Sequence, residues 1–176
     1  MARLEDKVAL VTGAARGQGR AHAVTLAREG AAIIAVDIDR QIETVPYGTA
    51  REEDLRATVA EVERLDRRIV ARTADVRSAD ALAAVVADGL DAFGQIDVLV
   101  ANAGVFSQAP FWEMDEQTWD DVMDVNLKGV WRTMSAVAPH MIERRAGSIV
   151  LTSSVNGSAA TPELPTTRPA STACSD

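Results

Sequence analysis

A chain of 176 residues with 47% apolar content can bury one core and is short for two. Its net charge of -8, with lysine only at Lys7 and Lys128, leaves no basic face to track phosphates, so nucleic acid is not an expected partner. The one cysteine, Cys174, cannot form an internal disulfide, and the opening MARLEDKVAL carries charges where a signal peptide would be apolar. No apolar run approaches the ~20 residues of a membrane span. A cytoplasmic chain with no membrane contact and no metal site is the expectation.

Short apolar runs alternate with longer amphipathic ones. The short runs are 8–12, 31–36, 68–73, 97–102 and 148–153, each nearly continuous in β-branched or aliphatic residues. Strands covered by helices on both faces have this pattern, because both pleat directions meet apolar partners. Helical spacing appears over 18–29, 52–65 and 79–92, and 116–144 holds one long helix or two. A β-α-β-α succession predicts a Rossmann-type, doubly wound parallel α/β sheet of about five strands. Residues 38–50, IDRQIETVPYGTA, read as a long polar loop inserted after the second strand.

The first strand runs into Thr12-Gly13-Ala14-Ala15-Arg16-Gly17-Gln18-Gly19, and a helical pattern follows. Gly13 allows a sharp turn, Gly17 lets backbone approach a pyrophosphate, and Gly19 lets helix and strand pack closely. The N–H groups of the helix start would face the anion. Asp37 closes the second strand, 18 residues past Gly19. A carboxylate there can accept both hydroxyls of an adenosine ribose and repels a 2′-phosphate, which favours NAD over NADP. Arg16 pulls weakly the other way, as a cation that could meet a 2′-phosphate. The plain alternatives are a tight strand-to-helix turn for the glycines, a cap for Asp37 and a solvated loop arginine for Arg16.

The glycine loop, Asp75-Val76, Asn102-Ala103-Gly104, Asn126 in DVNLKGVW and Ser153-Ser154 after SIVLT occur in the order and spacing that resemble the short-chain dehydrogenase/reductase family over residues 5–157. The resemblance implies that Asp75 meets the adenine amino group and Val76 its ring. It implies that Asn102, Ala103 and Gly104 line the cofactor's ribose and the central strand. It also implies that Asn126 holds a water in a proton relay and that Ser154 hydrogen-bonds the substrate oxygen. The parent function would be NAD-dependent oxidation of a small secondary alcohol, or reduction of the ketone, by a homo-oligomeric enzyme. The insert with its Val45-Pro46-Tyr47 resembles a carveol dehydrogenase-like subgroup found in organisms that make mycofactocin. In that subgroup it covers a poorly exchanging nicotinamide cofactor, with mycofactocin as external redox partner.

The pattern departs from the family at its end. The family's acid/base tyrosine and lysine would fall at 167 and 171, which hold Thr167 and Ser171, and the last two strands of the family sheet are missing. Residues 1–157 therefore read as the NAD-binding domain and 158–176 as a disordered tail of foreign composition, leaving the chain without catalysis. A frameshift near codon 164 would account for that tail. A typical family continuation, HYTASKHGVLGL, written in GC-rich codons and read one base late, gives TTRPASTACSD, the observed run 166–176. The rival readings are a non-catalytic nucleotide-binding module, a defective gene product and, more distantly, a methyltransferase.

Overall fold

The computed structural model describes residues 2–154. The strands β1 (Val8–Thr12), β2 (Ala32–Asp37), β3 (Ile69–Thr73), β4 (Val98–Ala101) and β5 (Ser148–Leu151) form one parallel sheet in the order β3-β2-β1-β4-β5. The helices are α1 (Gly17–Arg28), α2 (Glu52–Glu63), α3 (Ala79–Phe93), α4 (Glu116–Met123) and α5 (Val130–Arg144). Among the described residues, no helix is long and apolar enough to cross a membrane.

Alternation along the strands builds the two layers. Ala9, Val11, Ile33 and Ala35 face Val24 and Ala27 of α1 and Leu55 and Val62 of α2. Val8, Leu10, Ile34 and Val36 face Val85 and Val86 of α3 and Val137 and Met141 of α5. Ile33 and Ile34 are fully buried although adjacent in sequence, so β2 has no solvent side. Truncating either to Ala would cost about 2–5 kcal/mol.

The expectation of strands covered on both faces holds for β1 and β2 and fails at β3 and β5, the outer strands among the described residues. β3 is half-buried, with Arg72 and Thr73 exposed, and β5 exposes Ile149 and Val150. The predicted fifth strand, 148–153, is cut short at Leu151, although Thr152 N still donates to Ala101 O at 3.1 Å. The stretch 116–144 is one continuous helical run: α4 and α5 are joined by a widened π-helical turn at Asp124–Gly129.

Residues 38–50 contain neither helix nor strand, as expected, but their polar reading needs correction. Ile42 and Val45 are buried against Val76, Leu82 and Val125, so the insert has a small core of its own. The expectation of a disordered tail over 158–176, and with it the last three residues of the expected domain, lies outside the described residues.

Candidate functional site

Strand β1 pairs with β2 on one side and β4 on the other, with Leu10 opposite both Ile34 and Leu99. The chain changes winding direction between β1 and β4, and open α/β sheets bind ligands in the crevice outside the carboxyl ends of such strands. A cavity of about 350 Å³ opens there, and the glycine loop, Asp37, Asp75, Val76 and Asn102 to Gly104 all line it.

The three loop glycines meet different surroundings. Gly13 has φ of +68° and a Cβ on it would lie 2.9 Å from Ala103 Cα. A Cβ on Gly19 would fall 1.8 Å from the Gly13 carbonyl oxygen. Gly17 also has positive φ, +56°, but a Cβ there would meet nothing within 4 Å. It faces open space in the cavity wall.

The loop's carbonyls are turned toward α2. The Thr58 hydroxyl donates to Ala14 O at 2.9 Å. Arg20 Nε donates to Ala15 O at 2.9 Å, and Arg20 Nη2 donates to Asp54 O at 2.9 Å. No side chain caps the start of α1. By contrast, Ser78 caps α3 and Asp115 caps α4. Gly17, Gln18 and Gly19 at this uncapped terminus line the cavity, and the positive end of the helix favours an anion there.

Asp37 closes β2 at the rim. Its Oδ2 accepts from Ala15 N and its Oδ1 from Ile38 N, both at 2.8 Å. Burial pushes its carboxyl pKa above the ordinary value, and those two backbone bonds only partly oppose the shift. Each oxygen has a further lone pair to offer. Arg16 is exposed, with its guanidinium 5.9 Å from the centroid of the Tyr47 ring. That places it against the insert, in cation–π range.

Asp75 is heavily engaged. It accepts Arg77 Nη2 at 2.9 Å, Arg77 N at 2.9 Å and Arg40 Nη2 at 2.6 Å. Burial opposes its charge, but these bonds outweigh burial and hold the carboxyl below its ordinary range. Val76 beside it is buried beneath the insert.

Asn102 ties β4 to β1 across the switch point. Its side chain donates to Thr12 O at 3.0 Å, and its own N–H and that of Ala103 reach Thr12 Oγ1 at 3.1 and 3.2 Å. Asn126 lies in the π-helical turn. It accepts from Val105 N and donates to Val105 O, both at 2.8 Å, and so fixes the loop that follows Gly104. It sits behind the cavity wall, with Oδ1 3.5 Å from where a Gly104 Cβ would be. Ser154 is exposed, past the end of β5, and is not in the wall. The structure thus gathers the residues expected to bind nucleotide around one cavity, while Asn126 and Ser154 are not among the described residues that line it.

Tyr47 of the insert also lines the wall, and so do residues not singled out from sequence, among them Ile42, Thr49 and Thr152. The Tyr47 hydroxyl accepts from Phe106 N at 2.8 Å, which carries the insert across to the loop after β4. Arg20, Thr58 and Arg77 were missed as well. Their partners lie up to 44 residues away, and no local spacing announces them.

A family model described as short chain dehydrogenase matches residues 7–166. An uncharacterized NAD-dependent oxidoreductase of Mycobacterium tuberculosis is 49% identical over 161 residues, 90% of this chain and 58% of its own length. A (-)-trans-carveol dehydrogenase of Rhodococcus erythropolis is 44% identical over 160 residues, 89% of this chain and 57% of its own length. The crystal structure of carveol dehydrogenase from Mycobacterium avium in complex with NAD superposes with a TM-score of 0.95 at 46% identity, covering 98% of this chain and 63% of that one. This chain therefore spans a little under three fifths of the curated relatives it matches. The motif order, the parallel sheet and the matched model agree: the chain belongs to the short-chain dehydrogenase family.

Proposed function

We propose that the cavity is the NAD site of a cytoplasmic, homo-oligomeric secondary-alcohol dehydrogenase, and that this chain binds the nucleotide without turning substrate over. The observation that carries the reading is the join of Gly17, open to the cavity beside an uncapped helix start, with Asp37 at the end of β2. The helix start and loop N–H groups would take the pyrophosphate, and Asp37 the adenosine ribose hydroxyls. Asp75 would accept from the adenine amino group over Val76, and Asn102, Ala103 and Gly104 would border the second ribose. Arg16, held against Tyr47, is placed to meet a 2′-phosphate only weakly, so NAD remains favoured over NADP.

When bound, NAD supplies the acceptor for hydride from a small secondary alcohol. Ser154 would hold the alcohol oxygen, and Asn126, through Val105, would hold the wall behind it. The insert would cover the cofactor and slow its exchange, with mycofactocin as external redox partner. Similarity to carveol dehydrogenases and the buried Ile42 and Val45 support this.

The alcohol proton needs a base. Thr167 and Ser171 stand where the family has tyrosine and lysine, and neither hydroxyl ionises near neutral pH nor carries positive charge. A binding titration paired with an activity assay tests both halves. NAD binding without NADH formation from carveol-type alcohols is expected. Turnover at a rate typical of the family, with contamination excluded, would overturn the second half, and absence of NAD binding by the folded chain the first.

A further inference from the structure

The insert is fastened by a set of polar contacts of which the binding scheme above uses only Asp75. Arg77 stands two residues past Asp75 and directs its guanidinium two ways. Nε and Nη2 reach the Asp75 carboxylate at 2.9–3.1 Å, and Nη1 reaches Asp121 Oδ1 on α4 at 2.6 Å. The other Asp121 oxygen accepts from the Thr44 hydroxyl at 2.8 Å, while Asp75 also takes Arg40 at 2.6 Å. Arg40 and Thr44 both belong to the insert. The contacts Arg40–Asp75–Arg77–Asp121–Thr44 therefore begin and end in it.

Exposed ion pairs contribute little to stability. Here the Asp75, Arg77 and Asp121 side chains are only 13%, 21% and 11% exposed. One planar fork serving two carboxylates is a geometry that lysine cannot reproduce. Ile42 and Val45 of the same insert pack on Val76 and Val125.

We propose that Arg77 is a positioning residue: by bridging Asp75 to Asp121, and through Asp121 to Thr44, it sets the insert in place over the cavity. The nucleotide reading enters only in what the cavity holds; the fastening itself is a property of the free chain.

Hydrogen exchange on the full chain without nucleotide tests this. The reporters are Val45 N, bonded to Ile42 O at 3.0 Å, and Thr49 N, bonded to Gln41 Oε1 at 3.1 Å. In Arg77→Lys and in Thr44→Val both amides should exchange at least about tenfold faster, while β1 and β2 amides keep their rates, as in a local opening. Thr44→Ser keeps the hydroxyl and should restore protection. The double variant Arg77→Lys/Thr44→Val should open no further than either single one, since both cut the same connection. Unchanged reporters, failure of the serine to rescue, or strands that accelerate as much as the insert would each overturn the proposal. Adding NAD to the unsubstituted chain should slow the same amides. Failure of that step alone counts against the nucleotide reading and leaves the role of Arg77 standing.

Discussion

Replacing Asp37 with Ala should weaken NAD binding far more than NADP binding. A carboxylate accepting two ribose hydroxyls gains at least about 1.5 kcal/mol from each, so about 3 kcal/mol is lost. That corresponds to a Kd more than about 100-fold weaker for NAD. NADP would lose less, because removing the carboxylate also removes its repulsion of the 2′-phosphate. The substitution carries a second cost in the free protein. Ala15 is fully buried and its N–H donates to Asp37 Oδ2 at 2.8 Å. Leaving a buried N–H unsatisfied costs about 1–3 kcal/mol of stability. Asp37→Asn retains an acceptor for that N–H, so comparison of the two variants separates loop support from ribose recognition. Calorimetric titrations with both nucleotides, alongside denaturant melts, read the two effects. A NAD/NADP preference that moves by less than about tenfold in the Ala variant would refute the ribose assignment.

The pH dependence of this group has opposite signs for the free and bound chain. Its folded pKa is raised above the ordinary 3.8, so its contribution to stability is fully present below 3.8 and is lost as pH rises through the raised value. Ribose hydroxyls donate to the ionised form, so NAD affinity should climb through that same window. Acidification should therefore release nucleotide without Asp37 itself destabilising the fold.

Gly19→Ala, whose Cβ would sit 1.8 Å from the Gly13 carbonyl oxygen, should cost at least about 3 kcal/mol in a denaturant melt. Gly17→Ala, with open space around it, should cost about 1–2 kcal/mol from its positive φ alone, yet should weaken NAD binding more than stability. Equal stability losses at the two positions would contradict the division of labour within the loop. Ile149 and Val150 on β5 are 41% and 48% exposed, and that strand is paired only with β4 among the described residues. Light scattering should show concentration-dependent association that Val150→Lys reduces, because an apolar strand edge templates pairing; indifference to the charge would remove β5 as its cause. Sequencing the gene should reveal, in the +1 frame past codon 164, a tyrosine codon at 167 and a lysine codon at 171, followed by about 100 further residues of ordinary domain. A +1 frame without them ends the frameshift reading.

The sheet was legible because burial on both faces leaves a compositional trace. Leu10 and Val11 point to opposite layers and both must be apolar, so β1 and β2 read as unbroken hydrophobic runs. The glycine loop was legible for a similar reason: a Cβ at Gly19 is sterically impossible, and that requirement acts on the residue itself. β3 and β5 carry the same kind of run, yet only the strand order shows them to be edges among the described residues, and order is not written in any one strand. The insert was legible as an interruption, and its resemblance to the carveol dehydrogenase-like subgroup implied a cover, but its small core was not legible. Its buried branched aliphatic residues, Ile42 and Val45, are too few to make a period, and their partners Val76 and Val125 lie far along the chain. The contacts that fasten it follow the same rule. Arg77 and Asp121 are 44 residues apart, and Thr44 and Asp121 are 77 apart. A surface arginine and a half-buried hub are the same letter in sequence, and only the approach of Asp121 on α4 to the turn after β3 decides which one Arg77 becomes.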